Sequence, residues 1–349
     1  MKYGLPYQGS KSIIADFVVN ALPKRENLYD LFAGGCSITH CAILKNKYKR
    51  YFVNDINDTP QLFIDAVNGR YKDENRWISR EDFFKYKDIE PYIRICWSFG
   101  NNSQTYLYSQ EIEEKKHALH EIVFNDDYTL LGAIVDDKCL SFIKEYMLKF
   151  SNSTRKKKRI EIGRAFVKYF RETKNIENPY YEMCQFKDNN VQSLESLQSL
   201  ESLKRLQSLQ SLERLERLQS LERLERLESL EYTNKSYDEV EIKPNSVIYC
   251  DIPYKNTFRY NNTDFNHEKF YDWCERQNEL VVVSEYSMPE DRFTCVTMKN
   301  KMGTFSHAKT NKVVEKLFVP NHQLELFKRL SVFNIDDLMW ANPKQGKLF

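Results

Sequence analysis

A carboxylate, a proline and an aromatic side chain follow an apolar run near residue 250. Residues 247–250 (VIYC) lead directly into Asp251, Ile252, Pro253 and Tyr254. Proline disfavours the helical conformation of the residue before it, so the backbone of Ile252 is predicted to be extended. A carboxylate and a ring so placed can accept hydrogen bonds from a flat polar group and stack on it. Packing of Tyr254 in a core is the alternative.

A glycine-rich turn follows another predicted strand. Residues 30–35 (DLFAGG) connect this strand to a helix predicted from Ser37. Glycines let the backbone approach a ligand closely, and the next helix points its first amides at it. Asp55 ends the following strand, where an acidic side chain can bind both hydroxyls of a ribose. The pattern predicts a nucleoside site; a plain strand-turn-helix corner, with Asp55 or Asp58 as helix N-cap, is the alternative.

These motifs, in this order, resemble those of the Dam-type DNA adenine-N6 methyltransferases, whose hallmark is a strand ending in Asp-Pro-Pro-Tyr. Residues 6–11 (PYQGSK) resemble the opening cofactor motif of the family, and residues 30–35 its S-adenosylmethionine loop. Residues 284–289 and 315–319 resemble its late strands. The resemblance covers about 1–62 and 240–320, and the order of the motifs makes it specific.

The resemblance implies which residues bind the cofactor and which orient the substrate. The cofactor would be S-adenosylmethionine, bound by Tyr7, Lys11, Asp30, Phe32, Ala33, Gly34, Gly35 and Asp55. The amino group of a flipped adenine would donate hydrogen bonds to Asp251 and to the carbonyl of Ile252, and Tyr254 would stack on the base. No metal is implied.

Position 252 departs from the family, which usually has proline there. Ile252 still offers its carbonyl, and Pro253 still favours an extended backbone. The lost ring removes about 0.4–1 kcal/mol of preorganisation. We therefore expect reduced rather than abolished activity, with an inactive copy as the alternative.

Apolar runs without polar alternation predict parallel strands buried on both faces, at 27–32, 50–54, 246–250 and 280–284. The expected fold is α/β, a Rossmann-like methyltransferase sheet split by a mostly helical target-recognition domain. The expected domains are 1–62 with 232–330 (catalytic), 63–191 (target recognition), 192–230 (a repeat insertion) and 331–349 (a C-terminal tail). Helices are predicted at 110–123 and 142–149.

Residues 192–230 consist of thirteen tripeptides that end in leucine. On an α-helix a period of three moves round the axis by about 60° per step, so the leucines cannot form one lasting stripe. The composition favours helix, and the strict period suits a 3₁₀ helix, which rarely persists. We interpret the segment as a tandem expansion, helical or poorly ordered, whose deletion should leave activity intact. A self-association or partner-binding arm is the alternative.

Candidate DNA contacts lie in the predicted recognition domain. They are Asn101 and Asn102, in a run common in phage-borne family members, and the basic run Arg155, Lys156, Lys157, Lys158 and Arg159. Amides and basic side chains suit base and phosphate contacts, although a basic run is also often a solvated face. His117 and His120 share a helix side, and we expect surface residues rather than metal ligands.

Composition excludes several classes of protein. The chain has 349 residues, 29% of them charged, with a net charge of +2. It has no apolar run near the roughly 20 residues that a membrane span needs, and no secretory leader, so a cytoplasmic protein is expected. The family resemblance alone implies a bacterial or phage-infected cell. The eight cysteines lack Cys-x-x-Cys pairs, which favours buried thiols over disulfides or zinc.

The sequence therefore predicts a site-specific adenine-N6 methyltransferase acting on duplex DNA, in restriction-modification or restriction evasion. A silent DNA-binding protein, a scaffold organised by the repeats and a cytosine-N4 methyltransferase are the alternatives; Asp251 argues against the last, where serine is favoured. Residues 345–349 (QGKLF) resemble the peptides that dock on bacterial sliding clamps, with an unbound tail as the alternative.

Overall fold

A computed structural model of the chain describes residues 3–7, 9–174, 210–224, 229–254, 265–302 and 312–331. The chain folds into two compact units: Met1–Arg70 with Leu221–Phe349, and Tyr71–Ser220. None of the helices in these described ranges combines the length and the apolar character needed to cross a bilayer.

A mixed sheet is the framework of the first unit. Its strands, within the described residues, are β1 (Asn27–Asp30), β2 (Arg50–Asn54), β3 (Leu230–Thr233), β4 (Ser246–Cys250), β5 (Leu280–Glu285), β6 (Phe293–Met302) and β7 (Lys312–Pro320). The order is β3-β2-β1-β4-β5-β7-β6. The first five strands in this order are parallel, and β7 runs antiparallel to both of its neighbours. The predicted strands and the α/β class are confirmed.

Helices flank the sheet and form the second unit. In chain order they are α1 (Ala15–Ala21), α2 (Ser37–Leu44), α3 (Thr59–Val67), α4 (Arg80–Tyr86), α5 (Pro91–Cys96), α6 (Gln110–Asn125), α7 (Thr129–Gly132), α8 (Asp137–Leu148), α9 (Arg155–Lys174), α10 (Gln210–Gln219), α11 (His267–Glu275) and α12 (Leu324–Leu330). Short 3₁₀ turns lie at Lys11–Ile13, Phe99–Asn101, Ser220–Leu224, Tyr237–Glu239 and Asn321–Gln323.

Both faces of the sheet are buried, which explains the unbroken apolar runs. Val247 and Tyr249 of β4 belong to one apolar cluster, shared with α1 and α2. Ile248 and Cys250 belong to a second cluster, shared with α11. Successive strand residues point to opposite faces, so a strand covered on both sides needs apolar residues at every position.

The second unit is helical in its described part. Helices α6, α8 and α9 pack around a common apolar cluster that includes Ile122, Ile143 and Phe166. The helices predicted at 110–123 and 142–149 are confirmed as α6 and α8. The predicted start at residue 63 is too early, because α3 buries Leu62 and Phe63 in the first unit.

The histidines of α6 differ from the prediction. His120 is buried, not on the surface; its Nε2 lies 2.8 Å from the carbonyl of Asn75, and its ring stacks on Phe124. His117 is half-buried, stacks on Trp77 and pairs with Glu121. Helix spacing places the two histidines near each other, but whether that side is covered depends on the tertiary packing.

Part of the leucine-repeat segment belongs to the two compact units, so the segment is not wholly a separate insertion. Their described part forms α10 in the second unit, where Arg214, Leu215 and Leu218 are buried. The helix continues into the 3₁₀ turn Ser220–Leu224, whose own period of three matches the leucine spacing. Leu230 begins β3 of the sheet. Deleting 192–230 would remove parts of both units, which argues against the expectation that this deletion leaves activity intact.

The expected burial of the cysteines holds for the described residues. Six free thiols are buried: Cys36, Cys41, Cys96, Cys139, Cys250 and Cys274. Cys295 is half-buried and free, and Cys184 lies outside the described residues. In the described ranges, no group of three or more His, Cys, Asp or Glu side chains is arranged to hold a metal ion.

Candidate active site

The candidate residues of the first unit lie where the strand order reverses. Strand β1 pairs with β2 on one side and with β4, more than two hundred residues later in the chain, on the other. Open α/β sheets bind ligands beyond the carboxyl ends of such strands. Asp30 ends β1, Asp55 follows β2 and Asp251 follows β4, so the sheet brings three carboxylates to one edge.

The glycine turn packs closely against the N-terminal segment. A Cβ on Gly34 would lie 3.0 Å from Cε1 of Tyr7, and Gly34 has a φ of +46°. Gly4 has a φ of +64°, and a Cβ there would lie 2.2 Å from the carbonyl oxygen of Gly35. The turn therefore needs glycine on both sides of the contact.

Asp55 holds the glycine turn from the neighbouring strand. Its Oδ2 accepts a hydrogen bond from the Gly34 amide at 2.8 Å, and its Oδ1 accepts one from the Asn57 amide at 2.9 Å. Burial raises the pKa of its carboxyl. Oδ1 also accepts from the side-chain amide of Asn57 at 3.2 Å, so Oδ2, which has a second lone pair, is the oxygen with capacity for a ribose hydroxyl.

Asp30 is buried at the end of β1 with one oxygen unused. Its Oδ2 accepts a hydrogen bond from Thr39 Oγ1 at 2.7 Å, whereas its Oδ1 has no hydrogen-bond partner among the described residues. Burial, with smaller contributions from the charges of Asp251 and Asp55, raises the pKa of Asp30 to about 7. An orphaned buried acceptor beside a glycine turn fits a ligand that carries a cationic or hydrogen-bond-donating group.

Phe32 and Ala33 complete the predicted loop. The ring of Phe32 stacks on Tyr237 at 5.5 Å and meets Phe265 edge-on. The amide of Ala33 donates to the carbonyl of Asn54 at 3.0 Å, which ties the turn to β2. Both residues therefore shape the loop through packing and backbone bonds.

Lys11 lies between two carboxylates. Its Nζ is 3.1 Å from Asp251 Oδ1 and 3.0 Å from Glu315 Oε1. Burial alone would lower the pKa of Lys11, but the charges of Asp251 and Glu315 more than offset this and raise it. Burial alone would likewise raise the pKa of Glu315. The charge of Lys11 and the hydrogen bonds that Glu315 accepts from Tyr254, Ser284 and Lys11 outweigh burial, so the pKa of Glu315 is lowered overall.

Tyr254 is fixed by the same cluster. Lys11 Nζ lies 4.3 Å from the centroid of its ring, and its hydroxyl hydrogen-bonds to Lys11 and Glu315. Tyr286 meets the ring edge-on at 4.4 Å. Burial and the neighbouring carboxylates raise the pKa of Tyr254 well above its ordinary value, so its hydroxyl stays protonated.

Ile252 and Pro253 differ in solvent exposure. The side chain of Ile252 is buried in the same apolar cluster as Phe270 of α11. Pro253 is exposed, and its carbonyl accepts a hydrogen bond from His267 Nε2 at 2.9 Å. The side chain at position 252 thus anchors the turn in the core, while its backbone stays near Asp251.

Sequence reasoning missed Glu315 and Ser284 as site residues. Ser284 Oγ donates to Glu315 Oε1 at 2.7 Å. The available signal was an acidic residue inside the apolar run of β7, where a buried charge needs a partner. The partner could not be read from the sequence, because Lys11 is 304 positions away.

The predicted DNA contacts of the second unit are largely engaged in internal bonds. Lys158 pairs with Asp126 at 2.6 Å, Arg159 pairs with Glu213, and the Arg155 guanidinium lies 4.6 Å from the ring centroid of Phe124.

Lys156 and Lys157 are exposed, and Lys157 pairs with Glu161 at 2.8 Å. The side-chain amide of Asn101 donates to the Ile95 carbonyl, and that of Asn102 to Thr105 Oγ1. Residues 345–349, the predicted clamp peptide, lie outside the described residues.

Part of the chain matches a known family. Residues 7–131 match the model of the D12 class N6 adenine-specific DNA methyltransferases. The match includes the N-terminal segment, the glycine turn and Asp55, and ends before Asp251. No curated protein gives a significant match to the chain. By its family match the chain is similar to the Dam-type DNA adenine methyltransferases, and the resemblance read from its motifs is confirmed.

Proposed function

We propose that the chain transfers a methyl group from S-adenosylmethionine to N6 of a flipped adenine at a specific site in duplex DNA. The observation that carries the proposal is the position of Asp251. It follows the strand paired with β1, close enough to Asp30 for its charge to raise the pKa of that carboxyl. A carboxylate for the substrate and a nucleoside site thus share one sheet edge.

In the proposed reaction the protein contributes mainly by positioning the reactants and by placing charge beside them. When bound, S-adenosylmethionine would supply a methyl carbon: the amine lone pair would bond to it, the C–S electron pair would go to sulfur, and the nitrogen would pass its proton to solvent water. Asp251 and the Ile252 carbonyl would each accept a hydrogen bond from the amine. These two bonds would favour a pyramidal nitrogen. Asp30 Oδ1 would accept from the cationic end of the cofactor, and Asp55 from its ribose.

Duplex DNA is proposed as the substrate, and the helical second unit as the part that recognises its sequence. Lys156 and Lys157 remain candidates for phosphate contacts, and the QGKLF peptide remains a candidate for sliding-clamp binding. A base must leave the duplex to reach a carboxylate at the sheet edge, which costs a few kcal/mol.

Methylation of cellular DNA tests the proposal. The gene is expressed in a bacterial strain without adenine methylation, and its DNA is sequenced with detection of modified bases. N6-methyladenine at one recurring short site is expected, since the cofactor is present in every cell. Methylation at cytosine N4, or none with soluble protein present, would contradict the proposal.

Cofactor affinity should depend on pH through Asp30. Its pKa is raised to about 7, so the carboxyl is protonated below that pH and cannot pair with a cationic group. Affinity should therefore fall by up to about tenfold from pH 8 to pH 6. Calorimetric titration of the purified protein measures this. Asp30→Asn should bind weakly at every pH, and a wild-type dissociation constant that is flat across this range would refute the role of Asp30.

Restoring proline at position 252 should not improve the enzyme. The buried Ile252 side chain packs with the core cluster, so Ile252→Pro should lower the free energy of unfolding by about 1–3 kcal/mol. Urea unfolding checks the loss, with Ile252→Val as the conservative control, expected at about 0.5–1.5 kcal/mol. A variant that is more stable and more active than the wild type would show that isoleucine is a defect here.

A further inference from the structure

Glu315 is a buried charge that the proposed chemistry leaves without a role. Its side chain has no solvent exposure, and its Oε1 accepts from Lys11, Tyr254 and Ser284. Its Oε2 has no hydrogen-bond partner among the described residues. A carboxylate is kept in such a place only with a cation beside it, and that cation is Lys11.

The charge of Lys11 is shared between two carboxylates. Lys11 contributes +1, and Asp251 and Glu315 contribute −1 each, so the group carries one net negative charge. If Glu315 were neutral, Lys11 would pair with Asp251 alone and cancel its charge. In the proposed reaction the amine becomes positively charged as the new bond forms, so a net negative charge beside it lowers the barrier.

Glu315 also fixes the ring that is proposed to stack on the base. It accepts the hydrogen bond of the Tyr254 hydroxyl, while Lys11 lies over the face of that ring. One buried carboxylate thus holds two side chains, Lys11 and Tyr254, and Lys11 lies beside Asp251, the proposed acceptor of the amine.

We propose that Glu315 is a positioning residue for methyl transfer: it holds Lys11 and Tyr254 and leaves one net negative charge available at Asp251. The inference rests on the proposed function. Glu315 itself touches neither the base nor the methyl group, and it acts through Lys11 and Tyr254.

Glu315→Gln tests this, because glutamine keeps the shape of the side chain and removes its charge. We expect kcat to fall at least about tenfold, with KM for cofactor and DNA within about threefold. Glu275→Gln is the matched control: it makes the same change in a solvent-exposed carboxylate of α11 that pairs with Arg292 outside the site, and kcat should stay within about threefold. Unchanged kcat in Glu315→Gln overturns the proposal.

A second substitution separates charge balance from structural damage. Replacing Lys11 with methionine in the Glu315→Gln background removes the cation that would neutralise Asp251. Because Lys11 is also an expected cofactor-binding residue, kcat is measured at saturating cofactor, where the double variant should regain at least about threefold over Glu315→Gln. A further loss overturns the proposal, because a merely structural defect would worsen with a second buried change. If Glu315→Gln does not fold, Glu315→Asp is used in its place. A fall in kcat without a change in KM then supports the positioning role, and an unchanged kcat overturns the proposal.

The ionisation of Lys11 gives a readout that needs no activity. Titration of the Lys11 side chain by NMR should give a lower pKa in the Glu315 variant than in the wild type, because one of its two anionic partners is gone. If the wild type transfers no methyl group, the proposed function fails, and this titration alone decides the counter-ion role. A lower pKa in the variant supports that role, and an unchanged one overturns it.

Discussion

Asp251→Ala should lower kcat for adenine methylation by about 10²–10³-fold, which corresponds to about 3–4 kcal/mol of transition-state stabilisation. The carboxylate is the proposed acceptor for the amine, and alanine removes both the acceptor and its charge. The fold should tolerate the change, because Asp251 is partly exposed and Lys11 keeps Glu315 as its partner. Transfer of labelled methyl to a DNA duplex containing the methylated site measures the loss.

Asp251→Asn provides the matched control for this prediction. Asparagine keeps an acceptor oxygen of nearly the same size and loses the charge, so the fall in kcat should be smaller than with alanine. Cofactor affinity should stay within about threefold in both variants, since Asp30 and Asp55 are intact. Full activity of the alanine variant would place the acceptor elsewhere.

Arg214→Met should destabilise the second unit by about 2–4 kcal/mol. The buried guanidinium donates to the carbonyls of Cys96 and Ser98 at 2.8 and 2.7 Å, and methionine leaves both carbonyls without these bonds. Burial lowers the pKa of Arg214. The methylene chain of methionine replaces most of the lost volume, so the loss isolates the hydrogen bonds.

Urea unfolding of the full chain, together with hydrogen exchange in α5 and α6, measures this effect. Lys156→Met is the control, because it removes an exposed basic side chain from the same unit. Its midpoint should match that of the wild type. If Arg214→Met also unfolds at the wild-type midpoint, the last repeats are dispensable for the second unit.

The repeats show why a low-complexity pattern predicts little about burial. Every tripeptide ends in leucine, so the sequence offers the same apolar residue again and again. Leu215 and Leu218 are nevertheless buried, and Arg214, which directly precedes Leu215, is buried as well. A local pattern cannot indicate which copy meets the carbonyls of Cys96 and Ser98, because those groups lie more than one hundred positions earlier.

Strands and motifs were predictable from the sequence because their signals are local. An unbroken apolar run means a strand covered on both faces, and β2 and β4 have the predicted bounds. The carboxylates after β2 and β4 were recognisable for the same reason, since each directly follows such a run, whereas Asp30 ends β1.

Only the tertiary structure decided which charges meet. The order β2-β1-β4-β5-β7 brings the ends of strands that are far apart in the chain to one edge, and there Lys11 pairs with both Asp251 and Glu315. The side chain at position 252 likewise faces the core, which the family's preference for proline did not indicate. Pairing between distant groups depends on the strand order of the whole sheet, and no short stretch of sequence contains that order.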